Sequence, residues 1–112
     1  MEKKSQKDSS PGLKYDAGKP SLELVDKTAL WELARVLDFG KKKYTAHNWR
    51  AGIQWSRTIG AAMRHLTAIN DGEDLDPETG LLHAAHAMCN CMFLIWFYYN
   101  RKKYDDRYKG VK

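Results

Sequence analysis

Apolar residues recur at helical spacing in three stretches of this 112-residue chain, and nowhere do they alternate at the two-residue period of a strand. The first stretch predicts a helix over about 27–39. Leu30, Leu33, Ala34 and Leu37 form its apolar face, and Gly40 falls where a C-terminal capping glycine belongs. The second predicts a helix over about 55–70, with Ile59, Met63 and Leu66 turned inward and Asp71-Gly72 ending it. The third predicts a helix that begins near Asp76-Pro77 and reaches Tyr99, since Asp is a favoured N-cap and Pro a favoured first helical residue. A long loop over 40–54, rich in Lys, Tyr, Asn, Trp and Gly, separates the first two. Ahead of them, Lys14 to Pro20 reads as extended or turned, because Gly18 and Pro20 oppose helix. The expected fold is all-α: a small bundle of three main helices with an extended N-terminal segment and a long basic loop. It divides into a flexible basic arm over 1–12, a folded domain over 13–99 and a basic tail over 100–112.

The third helix has an unusual surface. No charged residue occurs from Leu81 to Tyr99, a length that approaches a membrane span. His83, His86 and Asn90 would be expensive in lipid, so the better expectation is the central helix of a soluble bundle with no membrane role. Met88, Met92, Ile95 and Trp96 share its end with Phe93, Phe97, Tyr98 and Tyr99, more apolar surface than two neighbouring helices cover. A homo-oligomer is therefore expected.

Composition sharpens this reading in two respects. The opening residues are charged and polar, unlike a secretory leader, and Cys89 and Cys91 fall on different faces of one helix, unsuited to a disulfide or a zinc knuckle. Both observations point to the cytoplasm. The net charge of +5 concentrates in the arm, the Lys41-Lys42-Lys43 run and the tail. Such an excess suits anionic partners, from nucleotides to nucleic acid, although charge runs are more often only solvated surface.

Candidate chemistry gathers in three places. Lys43, Tyr44, Asn48, Trp49 and Arg50 combine cations for phosphate, a flat π-face for stacking and an amide for a base edge. The same residues would equally make a basic surface loop whose tryptophan plugs the core. Lys14, Asp16 and Lys19 have a similar character but lack the spacing of a P-loop. Arg57 and Arg64, seven residues apart on one helix face, can clamp a polyphosphate or pair with Glu73, Asp74 and Glu78. The third place is the most specific. His65, the acidic run Glu73–Glu78, and the stripe of His83, His86 and Asn90 at i, i+3 and i+7 fall within one helix–loop–helix. Buried imidazoles and amides need partners. Glu73, Asp76, His83 and His86 are candidate metal ligands, a mixed nitrogen and oxygen set that suits a transition metal better than magnesium. His65, Glu73 and Asp76 are candidate catalytic groups, and histidines that merely bond across the bundle are the alternative.

Taken in order, four motifs carry a family resemblance: Lys14-Tyr15-Asp16-x-Gly18-Lys19-Pro20; Phe39-Gly40-x-x-Lys43-Tyr44-x-x-x-Asn48-Trp49-x-x-Gly52; Arg64-His65-Leu66; and Gly72-Glu73-Asp74-x-Asp76-x-Glu78-x-Gly80-Leu81-x-His83-x-x-His86. Over about 13–97 the chain resembles the N-terminal domain of phage dATP/dGTP diphosphohydrolases, which are grouped with the MazG-like all-α NTP pyrophosphohydrolases. The resemblance implies a MazG-like fold, cleavage of a purine deoxynucleoside triphosphate to monophosphate and pyrophosphate, and a divalent metal, Mg or Mn. It also implies that Lys14, Asp16, Lys19, Lys43, Tyr44, Asn48, Trp49, Arg50 and Arg64 hold the substrate. One departure matters. MazG-like enzymes bind magnesium through helical carboxylates, whereas neither 55–70 nor 81–99 carries a single one. Nucleotide binding is thus more directly implied than hydrolysis. Two further readings stand beside it: a non-catalytic protein sequestering a nucleotide or a cyclic-nucleotide immune signal, and, less favoured, a small nucleic-acid-binding or interaction protein.

Overall fold

A computed structural model describes residues 10–110; the expected arm lies for the most part outside the described residues. Helix α1 (Lys27–Lys43) starts at Asp26, whose carboxylate accepts the Ala29 N–H at 2.8 Å. A cap of this kind stabilises a helix by about 1 kcal/mol. The helix runs past Gly40, the residue expected to cap it, and ends only where Tyr44 turns extended. Gly40 keeps helical geometry because Lys41, Lys42 and Lys43 behind it are favourable at the negative end of the helix dipole.

Helix α2 (Trp55–Asn70) matches the expected bounds. Gly72 ends it at φ +98°, with Gly72 N–H bonded to Ile69 O and Glu73 N–H to Ala68 O, the paired bonds of a Schellman motif. Helix α3 (His83–Asn100) begins seven residues later than Asp76. Asp76 caps a single turn instead, accepting the N–H groups of Glu78 and Thr79 at 2.7 and 3.2 Å. Gly80, at φ +73°, then breaks that turn before it can propagate.

Helix α3 is central, packed by α1 on one side and α2 on another. Leu33 and Val36 of α1 meet Leu81, Ala85 and Cys89 in a buried cluster, with Leu37, Met88, Met92 and Phe93 around it. Against α2, the inward stripe is Trp55, Thr58 and Ala62, not the expected Met63 and Leu66, which are exposed. Thr58 and Ala62 let the two helices approach closely, and Trp55 fills the end of the interface with its indole N–H bonded to Arg101 O at 3.2 Å. Burial pushes the Cys89 thiol up to about 11, and both cysteines are free. Among the described residues no helix is long and apolar enough to cross a membrane.

The chain after α3 folds back over the start of α2. A 3-10 turn (Lys102–Tyr104) lays the Tyr104 ring on Gly52. Asp106 accepts both the N–H and the hydroxyl of Ser56, at 2.8 and 2.6 Å, capping a helix whose own preceding residue, Gln54, provides no side-chain cap. Arg107 lies over the Trp55 ring at 4.8 Å. The strap fixes the loop ahead of α2, and with it the edge of the cavity described below.

Two glycines test this packing in opposite directions. Gly52, at φ +115°, has no space for a Cβ against Tyr104, so Gly52→Ala should destabilise the fold by about 1–3 kcal/mol. Gly40 lies inside α1 with open space around it, so Gly40→Ala should stabilise by roughly 0.5–1 kcal/mol. Urea denaturation of the two variants measures both signs.

Candidate functional site

Helices α1 and α2 diverge over α3 and leave an open cavity of about 740 Å³. The loop between α1 and α2 closes one end and the 71–82 loop the other. Of the residues expected to hold substrate, Lys43, Tyr44, Asn48, Trp49 and Arg64 line this cavity. So do His65, Asp76 and His86. Lys14, Asp16 and Lys19 do not; they lie on the exposed segment ahead of α1. Arg50 is also elsewhere, its guanidinium packed over the Trp49 and Trp96 rings and bonded to His47. Trp49 has Phe93 stacked on it at 4.5 Å besides Arg50. Much of its π-surface is therefore engaged within the protein, and the ring acts as a wall of the cavity.

Of the four lining cations, Lys41 pairs with Asp38 at 3.4 Å, and the other three have no such partner among the described residues. Arg57 and Arg64 both line the cavity, and among the described residues neither pairs with a carboxylate. The expected alternative, ion pairs from these arginines to Glu73, Asp74 or Glu78, is absent among the described residues. Lys43 reaches only the face of Tyr44, at 5.6 Å.

At the 71–82 end the histidines converge. The Schellman turn directs the chain back towards α3, where Asp74 O accepts the His83 N–H at 2.9 Å and Leu81 O accepts the Asp76 N–H at 2.8 Å. This clamp brings Glu73 Oε1 to 2.7 Å from His83 Nε2. The carboxylate must receive that nitrogen's proton, so the lone pair of neutral His83 is on Nδ1. His65 Nδ1 faces it at 2.9 Å and, with no metal present, has to be the N–H donor. Asp76 Oδ2 lies 3.8 Å from the same His65 nitrogen. One ligand atom from each of His65, Asp76 and His83 is within 4.8 Å of the other two. Glu73 and His86, also expected as ligands, stand beside this cluster. Glu73 orients His83, and His86 Nε2 is bonded to Thr79 Oγ1 at 2.8 Å.

Burial and neighbouring charge hold His65 and His86 below the ordinary imidazole value. Burial lowers the pKa of His65, and the neighbouring His86 lowers it further. Burial lowers that of His86 too, outweighing the opposing pull of Asp76. The two rings stack at 4.6 Å and 9°, an arrangement in which two cations would repel. For Asp76, burial works to raise the pKa, but the hydrogen bonds from Glu78 and Thr79 prevail and hold it below the ordinary carboxylate value. Neutral imidazole nitrogens next to an ionised carboxylate are the protonation states that a divalent cation requires of its ligands. Sequence reasoning placed Asn90 in the stripe with His83 and His86 but missed Thr58, Thr79 and Phe93 as parts of this region.

The geometry defines an all-α phosphate-type cavity with a nitrogen and oxygen cluster at one end. The family described as dATP/dGTP diphosphohydrolase, N-terminal, matches residues 9–107, and the chain belongs to it. A dATP/dGTP diphosphohydrolase of Salmonella phage PMBT28 is 44% identical over 96 residues, which are 86% of this chain and 33% of that protein. The chain thus spans about a third of the length of the relative it matches. No solved structure matches it.

The depressed histidine pKa values set a pH dependence for the metal-free protein. Below the unfolded value of about 6.5 the unfolded chain takes up protons that folded His65 and His86 refuse, so stability falls as pH drops through that region. The melting temperature of chelator-treated protein should therefore decline between roughly pH 7.5 and 5.5, and His86→Gln should reduce the slope. A profile that is flat, or that rises with acidity, contradicts the neutral-imidazole assignment.

Proposed function

We propose that this chain binds a purine deoxynucleoside triphosphate in the cavity between α1 and α2 and takes part in its cleavage to monophosphate and pyrophosphate. The observation that carries the reading is that Lys43, Arg57 and Arg64, unpaired among the described residues, line one cavity with His65 and Asp76, which cluster with the buried His83 behind them. Unpaired guanidinium and ammonium groups suit a polyanion. The name of the phage relative supports the choice of dATP or dGTP.

The cluster residues fit a divalent metal. His65 Nδ1 and His83 Nδ1 offer lone pairs once the proton between them leaves, and Asp76 supplies an ionised oxygen. Two nitrogens and one oxygen favour manganese or another transition ion over magnesium. Three protein ligands leave positions open for phosphate oxygen. Bound there, the ion supplies Lewis acidity and offsets phosphate charge. The chain's own residues do the rest. Glu73 fixes the His83 tautomer, Thr79 orients His86, and the stacked His86 covers one face of His65. Arg64, next to His65 in sequence, holds the phosphates at the cluster end, and Lys43 does so from the α1 side. Hydrolysis between the α- and β-phosphates adds water at the α-phosphorus and releases pyrophosphate.

A second reading, in which the chain holds the nucleotide and returns it intact, is favoured by one observation: neither α2 nor α3 carries a carboxylate that could ligate a catalytic metal. Incubation with each dNTP and Mn²⁺ or Mg²⁺, followed by assay of pyrophosphate and of recovered nucleotide, separates the two. Pyrophosphate from dATP or dGTP supports cleavage. Intact nucleotide, bound stoichiometrically, supports capture, and no binding of any dNTP overturns both.

The metal assignment makes its own forecast. His65→Ala and His83→Ala should each abolish tight Mn²⁺ binding in calorimetry. Glu73→Gln, which alters only the partner of a ligand, should weaken it by about 10–100-fold. Arg64→Ala should leave Mn²⁺ affinity unchanged while weakening dATP binding by roughly ten- to a hundredfold.

A further inference from the structure

The segment ahead of α1 is built but covers nothing. Lys19 N–H bonds to Asp16 O at 3.0 Å across a turn with Gly18 at φ +82°, and a 3-10 turn (Leu22–Leu24) follows. Along it, Leu13, Tyr15, Leu22 and Leu24 are 83%, 83%, 77% and 82% exposed. Single exposed apolar residues need no explanation, but four large ones within twelve positions of a defined local structure do. The segment falls inside the span that matches the family, so it belongs to the domain and is not an appendage.

A second apolar surface on the same chain is covered only in part, where Arg107 lies over the Trp55 ring. Trp55, Ile59, Ile95, Tyr98 and Tyr99 line a groove of about 420 Å³ between α2 and α3. Met63 and Leu66 continue it along α2 at i, i+4 and i+7 from Ile59, both exposed. One chain thus carries a protruding apolar segment and an apolar groove that the segment does not fill. A twofold pair of identical chains satisfies both at once, each segment lying in the other's groove.

We propose that residues 13–25 of one protomer dock on the α2–α3 groove of a second copy, and that Lys14 and Lys19 thereby reach the partner's phosphate cavity. Leu22 and Leu24 enter the groove. The groove and the cavity are separated by α2, about 10–12 Å across with its side chains. At about 2.0 Å per residue through the 3-10 turn and about 3.3 Å per residue ahead of it, the chain from Leu24 back to Lys19 reaches about 14 Å, enough to cross it. The two lysines then arrive on the same side as Arg57 and Arg64. Phosphate-type side chains that stand outside the cavity of their own chain are placed by this arrangement in their neighbour's. The interface part stands on apolar exposure alone; the lysine part rests on the nucleotide reading above.

Two measurements test it separately. Light scattering of the full chain should give a dimer or a multiple of one, and Leu22→Glu/Leu24→Glu should shift it to monomer with unchanged helical circular dichroism, both side chains being exposed in the protomer. A monomeric wild type, or a variant of unchanged mass, overturns the docking whatever the protein does with nucleotides. For the lysines, Lys14→Ala/Lys19→Ala and Arg64→Ala variants are each made alone and then co-expressed, with dATP binding as the readout. Random pairing gives mixed dimers in about half of cases, each with one intact site, so about a quarter of wild-type binding sites should return. If the lysines served their own chain's cavity, no site would return. Should wild type bind no dATP, the nucleotide reading fails and the lysine assignment with it, while the mass measurement still decides the interface.

Discussion

The hydrogen bond between Glu73 and His83 organises this protein's functional end. It joins the residue just after α2 to the first residue of α3, at 2.7 Å, across a loop that both elements must be ordered to present. Glu73 is in position because Gly72 adopts a left-handed conformation and closes a Schellman motif. His83 is in position because its N–H is held by Asp74 O. The bond then propagates inward: it selects the His83 tautomer, which selects that of His65, which faces Asp76. A change at an exposed carboxylate is thereby felt two imidazoles away.

The electrostatic character of the cavity follows from what is left unpaired and what is not. Among the described residues Arg57, Arg64 and Lys43 have no carboxylate partner, so the walls carry positive charge towards the solvent. The histidines would add to that charge if protonated, and burial holds His65 and His86 below the ordinary imidazole value. On the proposed reading, phosphate is drawn by the arginines and lysine, and His65 Nδ1 and His83 Nδ1 open to a cation once the proton between them leaves. A cavity of protonated histidines would bind phosphate as well but would have no place for a metal.

Much of the fold was legible because its signals are local. The bounds of α2 were readable, since Asp71-Gly72 leaves the chain one good way to stop. The start of α3 was not, because Asp76 and Pro77 are as good at opening a single turn as at opening a helix. What decided the matter was Gly80, whose positive φ is a property of the folded loop. Gly40 misled for the converse reason: a glycine near a helix end need not be the cap when lysines beyond it favour continuation. Met63 and Leu66 were assigned inward on hydrophobicity, yet the α2 residues buried there are Trp55, Thr58 and Ala62. In the site, the convergence of His65, Asp76 and His83 was partly visible in their spacing. The division of labour between ligand and orienting partner was not, because Glu73 and Asp76 look alike until the turn assigns one to a histidine's far nitrogen. Lys14 and Lys19 share a motif style with the cavity residues, but nothing in a sequence says which side of the molecule, or which molecule, such a segment meets.

The central claim is that a metal held by His65, Asp76 and His83 meets a nucleotide's phosphates in the cavity between α1 and α2. Pulsed electron paramagnetic resonance of Mn²⁺ in the presence of the protein and dATP tests it most directly. The account predicts nitrogen couplings from two imidazoles together with a phosphorus coupling from the nucleotide on the same ion, the nitrogen signals weakening in His65→Ala and His83→Ala. A spectrum with phosphorus coupling but no imidazole nitrogen would mean that the metal arrives with the nucleotide and never meets the histidines, which would contradict the account.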